Sequence, residues 1–186
     1  MKLLNKKELY NMQKYPLSSR IIHWLMAALI IFMLALGIYM EDFIAKDAPN
    51  RMEVYGLHKS LGVVALIFIA IRIINRLVVK APALPSSMKR IEQTLSHLGH
   101  IALYLLMIIV PLSGYLMSNA AGFPVHLFSI EMPALISNNL DNARIFREIH
   151  GTSADAIMFI LGLHILAVIK HRFFDKPEND VLKRML

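Results

Sequence analysis

Two histidines, His150 and His164, lie fourteen residues apart inside the apolar run Ile149 to Ile169. On an α-helix that separation is about 21 Å of rise and about 40° short of four full turns, so both imidazoles leave one face. Ligating side chains inside a membrane-length segment cost several kcal/mol unless something uses them. A lone histidine there reads most simply as a polar side chain hydrogen-bonded within a helix bundle. Two on one face at this spacing point instead to two stacked sites, each needing a partner from another helix. The chemistry such pairs offer is metal ligation through a neutral ring nitrogen.

The elements that must carry them follow from composition. The chain has 186 residues, 56% of them hydrophobic and 18% charged. Ile21 to Met40 carries no formal charge, and Gln93 to Ile130 is a longer uncharged span broken by Pro111 and the polar pair Ser118 and Asn119. Leu61 to Ile71 is uncharged and extends past Lys59 on one side and past Arg72 and Arg76 on the other. With Ile149 to Ile169 these make four membrane spans. The expected fold is all-α: one membrane domain over 1–186, an up-down bundle of four helices near 18–41, 54–79, 90–118 and 147–172. The first span is too long, and lacks the small-residue site, for a cleaved signal. Pro16 precedes Ser18 or Ser19 as a cap for the first helix, and Pro111 predicts a kink in the third. Gly122 to Arg147, about 26 residues, is the longest connection, and a loop of that length is usually functional or interfacial. The absence of cysteine excludes thiolate metal sites, disulfides and thioether-attached haem.

Charge orients the bundle. Five basic residues lie in the N-terminal segment (Lys2, Lys6, Lys7, Lys14 and Arg20), five between Arg72 and Arg90, and five from Lys170 onward. The opposite connections hold four: Lys46, Arg51, Arg144 and Arg147. This bias predicts cytoplasmic termini and a cytoplasmic connection between the second and third helices. The net charge of +7 is thus a topology signal matched to anionic lipid, and nucleic acid need not be invoked.

With this topology the histidines sort by depth. His58 and His150 lie about one turn inside the outer surface, and His23 and His164 one to two turns inside the cytoplasmic one. Two imidazoles on opposite faces of a porphyrin make a six-coordinate haem, and a four-helix bundle interior suits such a site. Zinc is the competing reading, but it wants four close donors and each layer offers two histidines. His97 and His100 also lie at cytoplasmic depth, and either could replace His23 as a ligand; the plainer reading is that they are interfacial or sit near a propionate or a quinone headgroup. Arg72, fourteen residues beyond His58, shares its face at inner depth and suits a haem propionate; the plainer reading is a cation snorkelling to the surface. Lys59 is the similar candidate for an outer haem. Gly37, Gly62, Gly114 and Gly162 give flat rings room to approach, though glycine is common at membrane helix contacts. His126 and His171 read as solvated, the twelve methionines as packing, and Asp155 receives no role.

The segments RIIHWLMA, LHKSLGVV, LSHLGHIALYLL with PLSGYLMS, and REIHGT with LGLHILAVIKHRFFD resemble the bacterial cytochrome b561 family in their order and spacing. The ending DVLKRML is similar as well, so the likeness covers nearly the whole chain. The resemblance implies two non-covalent b haems in one bundle, with His23 and His164, and His58 and His150, as axial pairs. It implies a multi-pass protein of the bacterial inner membrane, where some family members pass electrons between a periplasmic donor and membrane quinone, including oxidation of superoxide by ubiquinone.

Three function classes follow. The chain is a quinone-linked electron-transfer oxidoreductase fed by a small periplasmic donor or donor protein. Alternatively it is the membrane anchor and relay subunit of a larger dehydrogenase complex. The third class is a metal or proton transporter using paired histidines. No Gly-rich flavin or nicotinamide fingerprint is present, so hydride chemistry would come from elsewhere.

Overall fold

The computed structural model describes residues 13–186; the basic positions Lys2, Lys6 and Lys7 lie outside them. Four long helices, α1 (Leu17–Ile38), α2 (Arg51–Val78), α3 (Arg90–Ala120) and α4 (Leu140–Phe173), are each long and apolar enough to cross a membrane. A π-helical turn at Tyr39–Phe43 extends α1. Their outer faces carry exposed Ile31, Phe32, Ile67, Ile74, Leu105 and Phe159, the pattern expected where acyl chains, not water, surround the bundle.

Neighbouring helices run antiparallel, and polar cross-ties fix their register. The Asn75 amide on α2 donates to Ser19 Oγ on α1 at 2.8 Å, and Arg72 Nε donates to the Tyr104 hydroxyl on α3 at 3.2 Å. Between the histidine layers one buried residue from each helix, Met26, Ile69, Met107 and Ile157, forms a single core cluster. Ile157 is seven residues from His150 and seven from His164, so it lies midway between the two histidine depths, while Met26 is only three residues from His23. Pro111 is accommodated inside an unbroken α3.

Two local expectations change. The residue preceding α1 is Pro16, with no side-chain cap, and Ser19 is engaged by Asn75 instead. Helix α4 begins at Leu140 rather than near 147 because Asn139 caps it, its side-chain oxygen accepting from the amides of Asp141 and Asn142, each at 3.0 Å. The outer connection is correspondingly shorter and built. It holds a small antiparallel hairpin, β1 (His126–Leu127) with β2 (Ile130–Glu131). It is tied down by Tyr115 donating to the Pro133 carbonyl (2.7 Å) and the Leu135 amide donating to Asn119 Oδ1 (2.9 Å). Gly122 turns the chain there at φ +80°, a conformation glycine adopts without penalty.

Candidate functional site

The outer layer pairs His58 on α2 with His150 on α4, ring centroids 6.2 Å apart and ring planes at 85°. His150 Nδ1 lies 2.8 Å from the Val110 carbonyl on α3. A carbonyl only accepts, so Nδ1 carries the proton and Nε2 keeps its lone pair for a ligand bond. Gly114 makes this approach possible: a Cβ there would sit 2.9 Å from His150 Cε1 and 3.0 Å from Nδ1. His58 Nδ1 is buried without a hydrogen-bond partner among the described residues.

The inner layer holds three histidines. His23 on α1 and His164 on α4 have centroids 6.5 Å apart, while His100 on α3 is closer to His164, at 5.5 Å. Arg72 Nη2 lies 2.9 Å from His23 Nδ1. A guanidinium only donates, so Nδ1 of His23 accepts and a neutral ring carries its proton on Nε2. That is the reverse of the His150 tautomer. His23 could therefore ligate a metal through Nε2 only if Arg72 left Nδ1.

Each helix repeats one spacing. Fourteen residues separate His23 from Gly37, His58 from Arg72, His100 from Gly114, and His150 from His164. Four turns of helix carry each pair from one layer to the other on one face. Between α3 and α4 the register is direct: His100 meets His164, Met107 meets Ile157, and Gly114 meets His150. The spacing was available in the sequence, and reading it on all four helices singles out His100 and Gly114, which histidine depth alone does not.

Lys59 and Arg72 stand where the spacing puts them but have protein partners. The Lys59 ammonium donates to Ser118 Oγ (3.3 Å) and the Pro124 carbonyl (3.1 Å), clamping the outer connection. Arg72 bridges His23 and Tyr104. His97 is exposed, and His126 lies 4.0 Å from Glu131 on the hairpin. His171 is buried, not solvated as its place in the basic tail implied, with Nδ1 2.8 Å from Asp175 Oδ2.

The layers fit haem better than zinc. An imidazole nitrogen binds a metal at about 2 Å, so rings 6.2 and 6.5 Å apart by centroid leave room for one metal atom between nitrogens. A buried, orphaned His58 nitrogen is the mark of a partner supplied by a ligand. Among the described residues, the one grouping of three carboxylate or imidazole donors with ligand atoms all within 4.8 Å of one another is Glu92, His171 and Asp175. The Lys170 ammonium already sits there, 2.7 Å from Glu92 and 3.0 Å from Asp175.

The family model described as prokaryotic cytochrome b561 matches residues 14–186. The chain is 32% identical to Cytochrome b561 homolog 2 of Escherichia coli (strain K12) over 175 residues, 94% of this chain and 92% of that one. It is 28% identical to the Probable superoxide oxidase CybB of Yersinia pestis over 173 residues, 93% of this chain and 96% of the relative.

Proposed function

Because the chain belongs to the prokaryotic cytochrome b561 family, a family of membrane electron-transfer proteins of the bacterial inner membrane, we propose that it is a di-haem oxidoreductase carrying electrons from a periplasmic donor to membrane quinone. It works as one domain over 1–186 with both termini in the cytoplasm. The observation that carries the reading is the fourteen-residue interval of α4, which gives each of two layers an imidazole facing another helix's imidazole. His58 with His150 would hold an outer b haem and His23 with His164 an inner one, supplying one-electron chemistry when bound.

The protein's own contribution is orientation and charge. Val110 holds the His150 tautomer, and Arg72 and Lys59 place a cation at each layer where haem carboxylates need one. Two imidazoles per iron leave no open position, which favours electron transfer over oxygen binding. The name of the Yersinia relative makes superoxide the first donor to test. Two superoxide anions then give two dioxygen molecules, and a quinone such as ubiquinone takes the two electrons and two protons to become quinol.

A specific observation favours a second ligand reading. His100 is nearer His164 than His23 is, and Arg72 occupies His23 Nδ1, so α3 competes with α1 to complete the inner layer.

Reduced-minus-oxidised spectra with pyridine haemochrome quantification of the purified protein test the cofactor, with two b haems per chain expected. Superoxide supplied with a short-chain ubiquinone should then yield quinol. A protein without haem sinks the proposal outright. Haem reducible by quinol but inert to superoxide moves the reading to a relay subunit with a docked partner.

A further inference from the structure

Helix α1 bears His23 yet packs mainly on α2, while His164 is on α4. The two histidines face each other across a boundary with little direct helix packing. The segment after α4 spans that boundary. Asp180, almost fully buried, pairs with Arg172 at the end of α4 and sits beside Lys183. Buried Asn179 accepts from the Ser87 hydroxyl at 2.6 Å, just ahead of α3.

Farther on, buried Arg184 donates to the carbonyls of Gln13 (3.1 Å) and Ala83 (2.7 Å), joining the stretch before α1 to the connection between α2 and α3. The Tyr15 amide donates to the Arg184 carbonyl at 2.9 Å. Finally the Trp24 indole N–H donates to the Met185 carbonyl at 2.8 Å. Trp24 follows His23 in the chain, and the two rings meet edge to face with centroids 5.2 Å apart.

We infer that residues 177–185 are a strap belonging to the inner haem site, and that Trp24, latched by the Met185 carbonyl, is the positioning residue that keeps His23 turned toward His164. This rests on the haem reading of the inner layer. The physical need is plain: a ligand on a loosely packed helix requires an outside tie to be held within the tolerance a metal bond demands. A buried arginine with two carbonyl acceptors and a buried aspartate paired to α4 form such a tie, because removing either partner leaves a buried charge exposed to an apolar setting.

Two conservative variants test it. Trp24→Phe keeps an aromatic ring and loses the indole N–H; Arg184→Gln loosens the strap without touching either histidine. The inner haem should open a coordination position, seen as carbon monoxide binding by that haem alone and a shift in its midpoint potential. The outer haem should keep its potential in both variants. Because the chain has no native cysteine, spin labels at Ser18→Cys and Phe173→Cys read the α1–α4 distance in the haem-free protein as well. The variants should broaden that distribution.

A carbon monoxide-inert inner haem with unchanged potential in both variants, or an unchanged distance distribution, overturns the strap. Loss of both haems together also counts against it, since the tie is local to one layer. A wild-type protein lacking the inner haem would defeat the functional reading, while the distance measurement would still decide the strap.

Discussion

The imidazole of His150 lies against the bare α-carbon of Gly114, so close that a Cβ would come within 2.9 Å of Cε1. Real Cβ atoms do not make that contact, so Gly114→Ala must displace the ring from the Val110 carbonyl. Alanine gains about 1 kcal/mol over glycine in a helix interior, yet the variant should lose outer-haem affinity by roughly 10-fold or more, the usual scale for disturbing a ligand's support. Gly37→Ala is the control. Its Cβ would meet His58 Cε1 at an ordinary 3.9 Å, so haem titration of the two proteins should separate them.

Ligand deletions should fall into matched sets. His150→Ala and His58→Ala should give one spectrum, lacking the outer haem, and His164→Ala should remove the inner one. His23→Ala against His100→Ala then decides which helix completes the inner layer, because one should match His164→Ala and the other retain both haems. Visible spectra of the five proteins suffice. Retention of the inner haem in both single variants would mean that either ring can serve.

Removing the Arg72 guanidinium should change a potential more than an occupancy. Arg72→Gln takes a positive charge from beside His23, which favours the more positive, oxidised iron and lowers the inner midpoint potential. The drop should be on the order of 50 mV for a partly buried charge a haem-width away. Redox titration should show the outer midpoint unmoved.

Acid should loosen the strap through Asp175. Burial pushes its pKa up, but hydrogen bonds from the Lys176 amide, Lys170, Asn179 and His171 outweigh this and hold the carboxyl below its usual range. A depressed folded-state pKa contributes stability that is fully present above the unfolded value, about 3.9, and is lost as pH falls below it. Proteolysis of the segment after α4 should therefore accelerate below about pH 4. In Asp175→Asn it should be faster at neutral pH and nearly flat in acid.

Reporter fusions check orientation independently of any haem. Those at Asp47 and Asn139 should report the periplasm, and one at Ser86 the cytoplasm. A cytoplasmic signal from Asn139 would invert the donor and acceptor sides.

The spans were legible because lipid selects on composition: charge-free runs name α1 and α3 without any structure. The start of α4 was not, since Leu140 to Glu148 mixes Asp141, Arg144, Arg147 and Glu148 with apolar residues, and the cap at Asn139 lies in a polar stretch with no hydrophobic run behind it. The outer hairpin was hidden for another reason. It is held by groups distant in sequence, among them Ser60, whose hydroxyl donates to the His126 carbonyl and accepts from the Phe128 amide. His171 looked like a member of a solvated tail because burial by a returning segment leaves no periodic trace. His23 and His100 share a depth, and histidine depth alone did not separate them; ring distance and the Arg72 contact distinguish them now.

The layer of Met26, Ile69, Met107 and Ile157 acts as a partition. Its four side chains offer no hydroxyl, amide or carboxylate on which a proton could hop. On the proposed two-haem reading, an electron moving from the outer histidines to the inner ones would cross this apolar layer. Its passage works with or against the transmembrane voltage, at about 2.3 kcal/mol per 100 mV for a full crossing. On the two-haem reading, the turnover of such a bundle would depend on the energised state of the membrane.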